Sequence, residues 1–299
     1  MLFLAFVVLL PIASTFAYSI IPKFEQLVVY GDSVTDNGNV YRATNKTYPA
    51  SPPYYQGRFS DGPVWLEYVS QYLSIPVQDN GYGGATTNAD DMTAIRNNFT
   101  VPGFIQQVET IHVNTAETLY MVEIGGNDLI GLLYPGAFFD DHYPNYDIHR
   151  ISDNLIQGIQ LLINKYQAQD IVLMNIPSLD VFPGIEQKLK KQAAQLVIDY
   201  NQLVKDKIQS IKGARIQIFD FYSWVQQQMQ KAKQYNMITD TACYDDVTSC
   251  NTPGNYFFWD TFHFETKVHK ALSVSILKML KSNYKIKSKV AFIHQPKHL

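Results

Sequence analysis

The chain has 299 residues, of which 46% are hydrophobic and 17% charged, with 24 basic against 27 acidic side chains. That apolar share supports a sizeable buried core and excludes intrinsic disorder as the main state. A slight acidic excess argues against a nucleic-acid partner, which would call for a basic footprint.

The first segment, residues 1–17, opens with an apolar run over residues 2–10. The run is too short to span a bilayer, which takes about 20 apolar residues. Followed by small residues up to Ala17, it reads as a secretory signal peptide, leaving residues 18–299 as one domain. The mature protein is then expected to be secreted and extracellular, with no integral membrane contact. Asn45-Lys46-Thr47 and Asn98-Phe99-Thr100 are glycosylation acceptors consistent with export. Cys243 and Cys250 are the two cysteines of the chain. In an oxidising compartment they are expected to form a local disulfide; in cytosol they would remain inert thiols.

The predicted elements alternate. Residues 27–30 form a short apolar strand that runs into Gly31-Asp32-Ser33. Residues 75–78 suggest a second, and residues 118–124 a third that ends at Gly125-Gly126-Asn127-Asp128, read as a strand-end turn. Residues 171–176 stop before Pro177, and residues 215–219 stop before Asp220. Between them, Ile151, Leu155, Ile159, Leu162 and Tyr166 fall on one helical face. A longer amphipathic stretch covers residues 185–211, and residues 264–280 read as a final helix. Short apolar strands alternating with helices indicate parallel βαβ units and an α/β sandwich. Two segments, residues 40–63 and 131–146, are rich in Tyr, Phe, Pro and Asp and read as loops that either wall a pocket or anchor the surface. Lys281, Lys285, Lys287, Lys289 and Lys297 give a basic tail over about residues 283–299, expected to be a solvated end.

The polar motifs sit where a parallel sheet binds ligands, beyond the carboxyl ends of strands and near the point where strand order reverses. If the first and third strands are neighbours, Ser33 and Asn127 face one crevice. Asp260-Thr261-Phe262-His263 precedes the last helix. A serine hydroxyl needs a base to remove its proton during attack, an imidazole can serve near neutral pH, and a carboxylate can orient that imidazole.

Gly31-Asp32-Ser33-Val34, Gly83-Gly84-Ala85, Gly126-Asn127-Asp128 and Asp260-Thr-Phe-His263 together resemble the four blocks of the SGNH, or GDSL, hydrolases, in the family's order. Residues 51–65 are similar to the secreted subgroup that includes fungal acetylesterases, plant GDSL lipases and thermolabile hemolysin-type phospholipases. Two residues depart from the pattern: Val34 stands where the family often has Leu, and Phe264 where these relatives usually have Pro. The resemblance implies a three-layer α/β/α sandwich with a mostly parallel five-stranded sheet of the flavodoxin-like kind. It also implies a catalytic set of Ser33, Asp260 and His263, an oxyanion hole from Ser33, Gly84 and Asn127, and no metal or cofactor. Asp32 is then structural, bonding nearby backbone. His112, His142, His149, His269, His294 and His298 are assigned to solvated or packing roles.

The expected function is a secreted esterase acting through an acyl-enzyme on short-acyl esters, including acetyl groups on carbohydrate. Phospholipase, lysophospholipase or lipase activity on longer chains is the alternative. A non-catalytic secreted binding protein of the same fold, using its many aromatic side chains for sugar stacking, is a third reading. The partners expected are a small-molecule or carbohydrate ester, or a lipid, and the chain is expected to be a monomer. Gly-x-Ser-x-Gly, His-Glu-x-x-His, P-loop and dinucleotide-binding glycine motifs are absent, which disfavours those chemistries.

Overall fold

Five strands line up as one sheet in the computed structural model, which describes residues 24–110, 117–141 and 144–284. The leader expected over residues 1–17, the histidines at 112, 142, 294 and 298, and the tail beyond Tyr284 lie outside the described residues. The strands are β1 (Gln26–Gly31), β2 (Val77–Asp79), β3 (Thr118–Glu123), β4 (Asp170–Met174) and β5 (Arg215–Phe219), in the order β2-β1-β3-β4-β5. Every pairing in it is parallel. All six residues of β3 and all five of β4 are buried, whichever face they point to. Both faces of the sheet are therefore covered, which explains why these strands read as continuous apolar runs rather than alternating ones.

The covering helices form two groups. One contains α2 (Trp65–Tyr72), α7 (Phe221–Gln234) and α8 (Thr266–Asn283): α2 packs on α8, and Trp224 donates its indole N–H to Ser275 across 2.9 Å. The other contains α3 (Phe104–Thr110), α4 (Gly126–Leu133), α5 (Ile148–Tyr166) and α6 (Lys190–Ile208), in contact with one another in the series α3–α5–α6–α4. A five-residue helix α1 (Asn39–Ala43) follows the first strand.

The sequence expectation of a parallel α/β sandwich is met, with corrections in detail. Asn127 and Asp128 are not a strand-end turn but the first turn of α4, whose N-cap, Gly125, takes the left-handed φ of 112° that a glycine tolerates. That turn also claims residues 131–133 from the segment read as a loop. The long stretch over 185–211 is helical only from Lys190, and the last helix starts at Thr266 rather than at 264. Five helices, α1, α2, α3, α4 and α7, are not anticipated by the sequence patterns, and α1 takes residues 40–43 from the other segment read as a loop. The signal for α7 was present: Asp220 caps it by accepting from the Ser223 N–H, and Phe221, Trp224, Val225, Gln228, Met229 and Ala232 form its buried stripe.

The order of strands places β1 beside β3, with β2 on one side and β4 and β5 on the other. Strand order reverses between β1 and β3, which is where such sheets open a crevice at their carboxyl ends. Ser33 leaves β1 and Asn127 leaves β3 at that crevice.

Candidate active site

Ser33 sits in a tight turn that begins the moment β1 ends. The Asp32 carbonyl accepts from the N–H groups of Thr35 (3.1 Å) and Asp36 (2.9 Å), and the Asp32 carboxylate accepts from the Val34 N–H at 3.0 Å. Asp32 thus bonds nearby backbone, as expected. The turn requires Gly31, because a Cβ there would lie 2.9 Å from the Glu123 carbonyl oxygen on β3.

Asp260 and His263 come from the loop before α8. The Asp260 Oδ1 accepts from the N–H groups of Phe262 and His263, each at 2.8 Å, folding the four residues into a compact turn. Three more bonds tie this turn to its surroundings: Trp259 N–H to the His263 carbonyl (2.8 Å), Gly184 N–H to the Thr261 carbonyl (2.8 Å), and the Ser60 hydroxyl to the Phe264 carbonyl (2.8 Å). Phe264, where the family usually has Pro, is buried among Phe182, Phe221, Phe257 and Phe258. The substitution anchors the loop through its ring instead of stiffening the backbone.

Across the crevice the two loops meet. The Ser33 Oγ lies 2.8 Å from the His263 Nε2, and the His263 Nδ1 lies 2.7 Å from the Asp260 Oδ2. Tyr54 donates its hydroxyl to the same Oδ2 at 2.7 Å. Burial drives the Asp260 carboxyl upward, but the His263 ring, the Tyr54 hydroxyl and the Phe262 N–H outweigh it, so its pKa is lowered overall. Phe59 flanks the imidazole, with ring centroids 5.2 Å apart.

Gly84 and Asn127 border the same cavity as Ser33 and His263. Gly84 has a φ of 90°. Asn127 donates to the Ala85 carbonyl at 2.8 Å and comes within 3.3 Å of the Asp32 Oδ2, which fixes the plane of its amide. Among the described residues, no hydrogen bond takes up the backbone N–H of Ser33 or of Gly84. Beneath these groups, the carboxyls of Asp32 and Glu123 hydrogen-bond each other, and burial raises both pKa values. Asp128, fully buried, accepts from the Thr87 N–H and hydroxyl and from Tyr146, joining α4 to the loop that follows Gly84.

The cavity encloses about 280 Å³. Ile130, Phe138, Phe139, Phe182 and Phe262 supply apolar wall, while Tyr48, Tyr54, Arg96 and Asp246 add polar atoms. The aromatic segments over 40–63 and 131–146 therefore do line a pocket. Tyr54 could have been suspected from its place in one of them. Arg96 and Asp246 belong to no motif in the sequence: Arg96 is a lone charge, and Asp246 is the second of two aspartates between the cysteines.

Of the other expected features, Cys243 and Cys250 are disulfide-bonded, with Cα atoms 4.8 Å apart. Glu265 lies near them, but sulfurs bonded to each other offer no thiolate to a metal. Asn45 and Asn98 are exposed, and the Asn97 amide donates to Thr47 at 3.0 Å, so the two acceptor turns sit side by side. His269 is buried, where its Nδ1 accepts from the Trp65 N–H, and His149 is exposed at the start of α5.

A family model described as GDSL-like Lipase/Acylhydrolase matches residues 27–276, which include every site residue named above. The phosphatidylcholine-sterol acyltransferase of Aeromonas hydrophila is 25% identical over 81% of this chain and 69% of its own length. The thermolabile hemolysin of Vibrio parahaemolyticus is 20% identical over 85% of this chain and 63% of its own length. Among solved structures, an acetyl-xylooligosaccharide esterase from Geobacillus superposes with a TM-score of 0.52 at 14% identity, covering 92% of this chain and 99% of that one. That likeness shows a shared fold.

Proposed function

The chain belongs to the GDSL-like lipase/acylhydrolase family, and from that premise we propose that it hydrolyses carboxylic esters through an acyl-enzyme on Ser33. The observation that carries the reading is the continuous line from the Ser33 Oγ through the His263 ring to Asp260, with contacts of 2.8 and 2.7 Å. In this reading His263 Nε2 takes the serine proton as Oγ attacks the ester carbonyl. Asp260 stabilises the imidazolium that results. The former carbonyl oxygen, now negative, is met by the N–H groups of Ser33 and Gly84 and by the Asn127 amide, which exchanges its 3.3 Å contact with Asp32 for the oxyanion. Collapse of the tetrahedral intermediate breaks the ester bond, and His263 returns its proton to the departing alcohol. Water then enters by the same route in reverse, giving the carboxylic acid and restoring Ser33.

Short acyl groups are the substrates this reading favours, because about 280 Å³ lies just under the range of pockets that hold drug-sized ligands. One observation favours longer chains instead: Phe138, which lines the cavity, is 44% exposed and would extend an apolar surface outward. Export is part of the proposal, supported by the apolar N-terminal run and by the Cys243–Cys250 disulfide, a bond that oxidising compartments maintain.

The test is p-nitrophenyl ester hydrolysis by the wild type and by Ser33→Ala. The substitution is expected to lower kcat by about 10⁶-fold, the scale seen when a serine nucleophile is removed. Full activity in the variant overturns the assignment. Activity that peaks at two to four acyl carbons supports the short-chain reading, and a peak at long chains supports the other.

A further inference from the structure

We propose that Arg96 forms an anion-binding subsite within the catalytic cavity, so that the preferred ester substrate carries a phosphate or carboxylate group. This rests on the hydrolytic reading above and adds to it the chemistry of the substrate.

The described residues include five arginines, and four have conventional settings. Arg58, Arg150 and Arg215 pair with the carboxylates of Glu67, Asp91 and Asp170. Arg42 is exposed and bonds the side chains of Asn37 and Asn39. Arg96 differs from all of them. It is half-buried, it lines the cavity that holds Ser33 and His263, and no carboxylate pairs with it among the described residues. Among the described residues its side chain makes one hydrogen bond, from Nη1 to the Ile95 carbonyl at 3.1 Å. A guanidinium has five N–H donors in a planar fork, so most of its donor capacity is unspent.

The group is nonetheless held in place. Its Cζ lies 5.8 Å from the Tyr48 ring centroid and 5.9 Å from that of Phe139. Two aromatic rings stabilise the cation and restrict its plane without using its N–H groups. Its backbone belongs to a small hairpin, Ile95–Arg96 against Phe99–Thr100. The Nη2 sits 3.2 Å from the position that a Cβ on Gly84 would occupy, directly against one of the expected oxyanion donors. Asp246, the acidic residue facing the cavity from the disulfide loop, is exposed and forms no ion pair with Arg96.

A positive, planar, oriented donor beside the reacting carbonyl suits a bidentate oxyanion such as a phosphate or carboxylate. A neutral ester would leave those donors unused in a partly desolvated cleft, whereas an anionic one satisfies them.

Binding rather than turnover provides the test. Glycerol 3-phosphate, glucuronate and glycerol are titrated calorimetrically into Ser33→Ala protein, and into the same protein carrying Arg96→Gln or Arg96→Lys. At least one of the two anions is expected to bind, with glycerol binding far more weakly. Arg96→Gln is expected to weaken the anion by about tenfold to a hundredfold, the range of a charge-assisted hydrogen bond, and Arg96→Lys to recover part of that loss. Tighter binding of glycerol 3-phosphate assigns a phosphate-bearing alcohol, and tighter binding of glucuronate an acidic sugar. Failure of both anions to bind, or equal binding by Arg96→Gln with unchanged thermal unfolding, overturns the proposal. Neither result touches the Ser33 assignment, which stands or falls on p-nitrophenyl ester hydrolysis.

Discussion

The hydroxyl of Tyr54 donates to the Oδ2 of Asp260 across 2.7 Å, joining two residues 206 positions apart in the chain. Oδ2 is also the oxygen nearest the His263 Nδ1, so one atom is shared between the imidazole and a phenol. In the proposed mechanism Tyr54 is a positioning residue that acts through Asp260.

Tyr54→Phe removes that bond while keeping the ring, whose edge packs near Tyr244 and Trp259. A lost hydrogen bond to a charged group costs about 1.5–3 kcal/mol, so kcat is expected to fall by about tenfold or more. Because the hydroxyl lowers the Asp260 pKa, its loss should also move the acid limb of the pH–rate profile upward. A variant with reduced thermal stability but an unmoved acid limb would show a merely structural role.

Asn127 is expected to contribute in the transition state alone. Replacing it with Ala should lower kcat by about 10²–10³ and leave KM nearly unchanged, as for other oxyanion donors. Steady-state kinetics on one p-nitrophenyl ester measures this, and a change confined to KM would assign Asn127 to ground-state binding instead.

Gly83 lies under the Phe59 ring, where an added Cβ would fall 2.0 Å from Phe59 Cε2. Phe59 in turn flanks the His263 ring. Gly83→Ala should therefore displace Phe59 toward the imidazole, with overpacking costing about 1–3 kcal/mol of stability. Misplacement by an ångström costs about 10² in rate. Fluorophosphonate labelling of Ser33 reads the effect directly; labelling at the wild-type rate would contradict it.

Stability should change with pH on both sides of neutrality. Burial pushes the Glu265 carboxyl up from 4.5 to about 7, although the Gly254 and Tyr256 N–H groups oppose this. A folded-state pKa above the unfolded one gives stability that is present below pH 4.5 and lost as pH rises through about 7. Burial pushes His269 down from 6.5 to about 3, so its contribution is present above pH 6.5 and lost on acidification. Glu265→Gln, which cannot ionise, should gain on the wild type by about 2–4 °C in Tm between pH 5 and pH 8. Parallel Tm curves for the two proteins would exclude Glu265 as the source of the alkaline loss.

Much of the site was legible because its chemistry lies at strand ends. Gly31-Asp32-Ser33 closes an apolar run and Asn127 follows another, so their position beyond the sheet could be inferred from hydropathy and punctuation. The helices that escaped notice were the short ones, such as the seven residues of α3, and those whose stripe mixes polar with apolar residues, such as Gln228 in α7. Gly125-Gly126 signals a break before Asn127, and here the break is the cap of a helix rather than a turn.

By itself the sequence determined the α/β class, the candidate reacting groups and their order along the chain, because periodicity and strand-end glycines are local properties. Only the tertiary structure decided that Tyr54 completes the line behind His263, that Phe59 walls it, and that Arg96 stands beside Gly84. Those contacts join loops far apart in the chain, and their geometry is set by how helices and strands pack together, which no local pattern records.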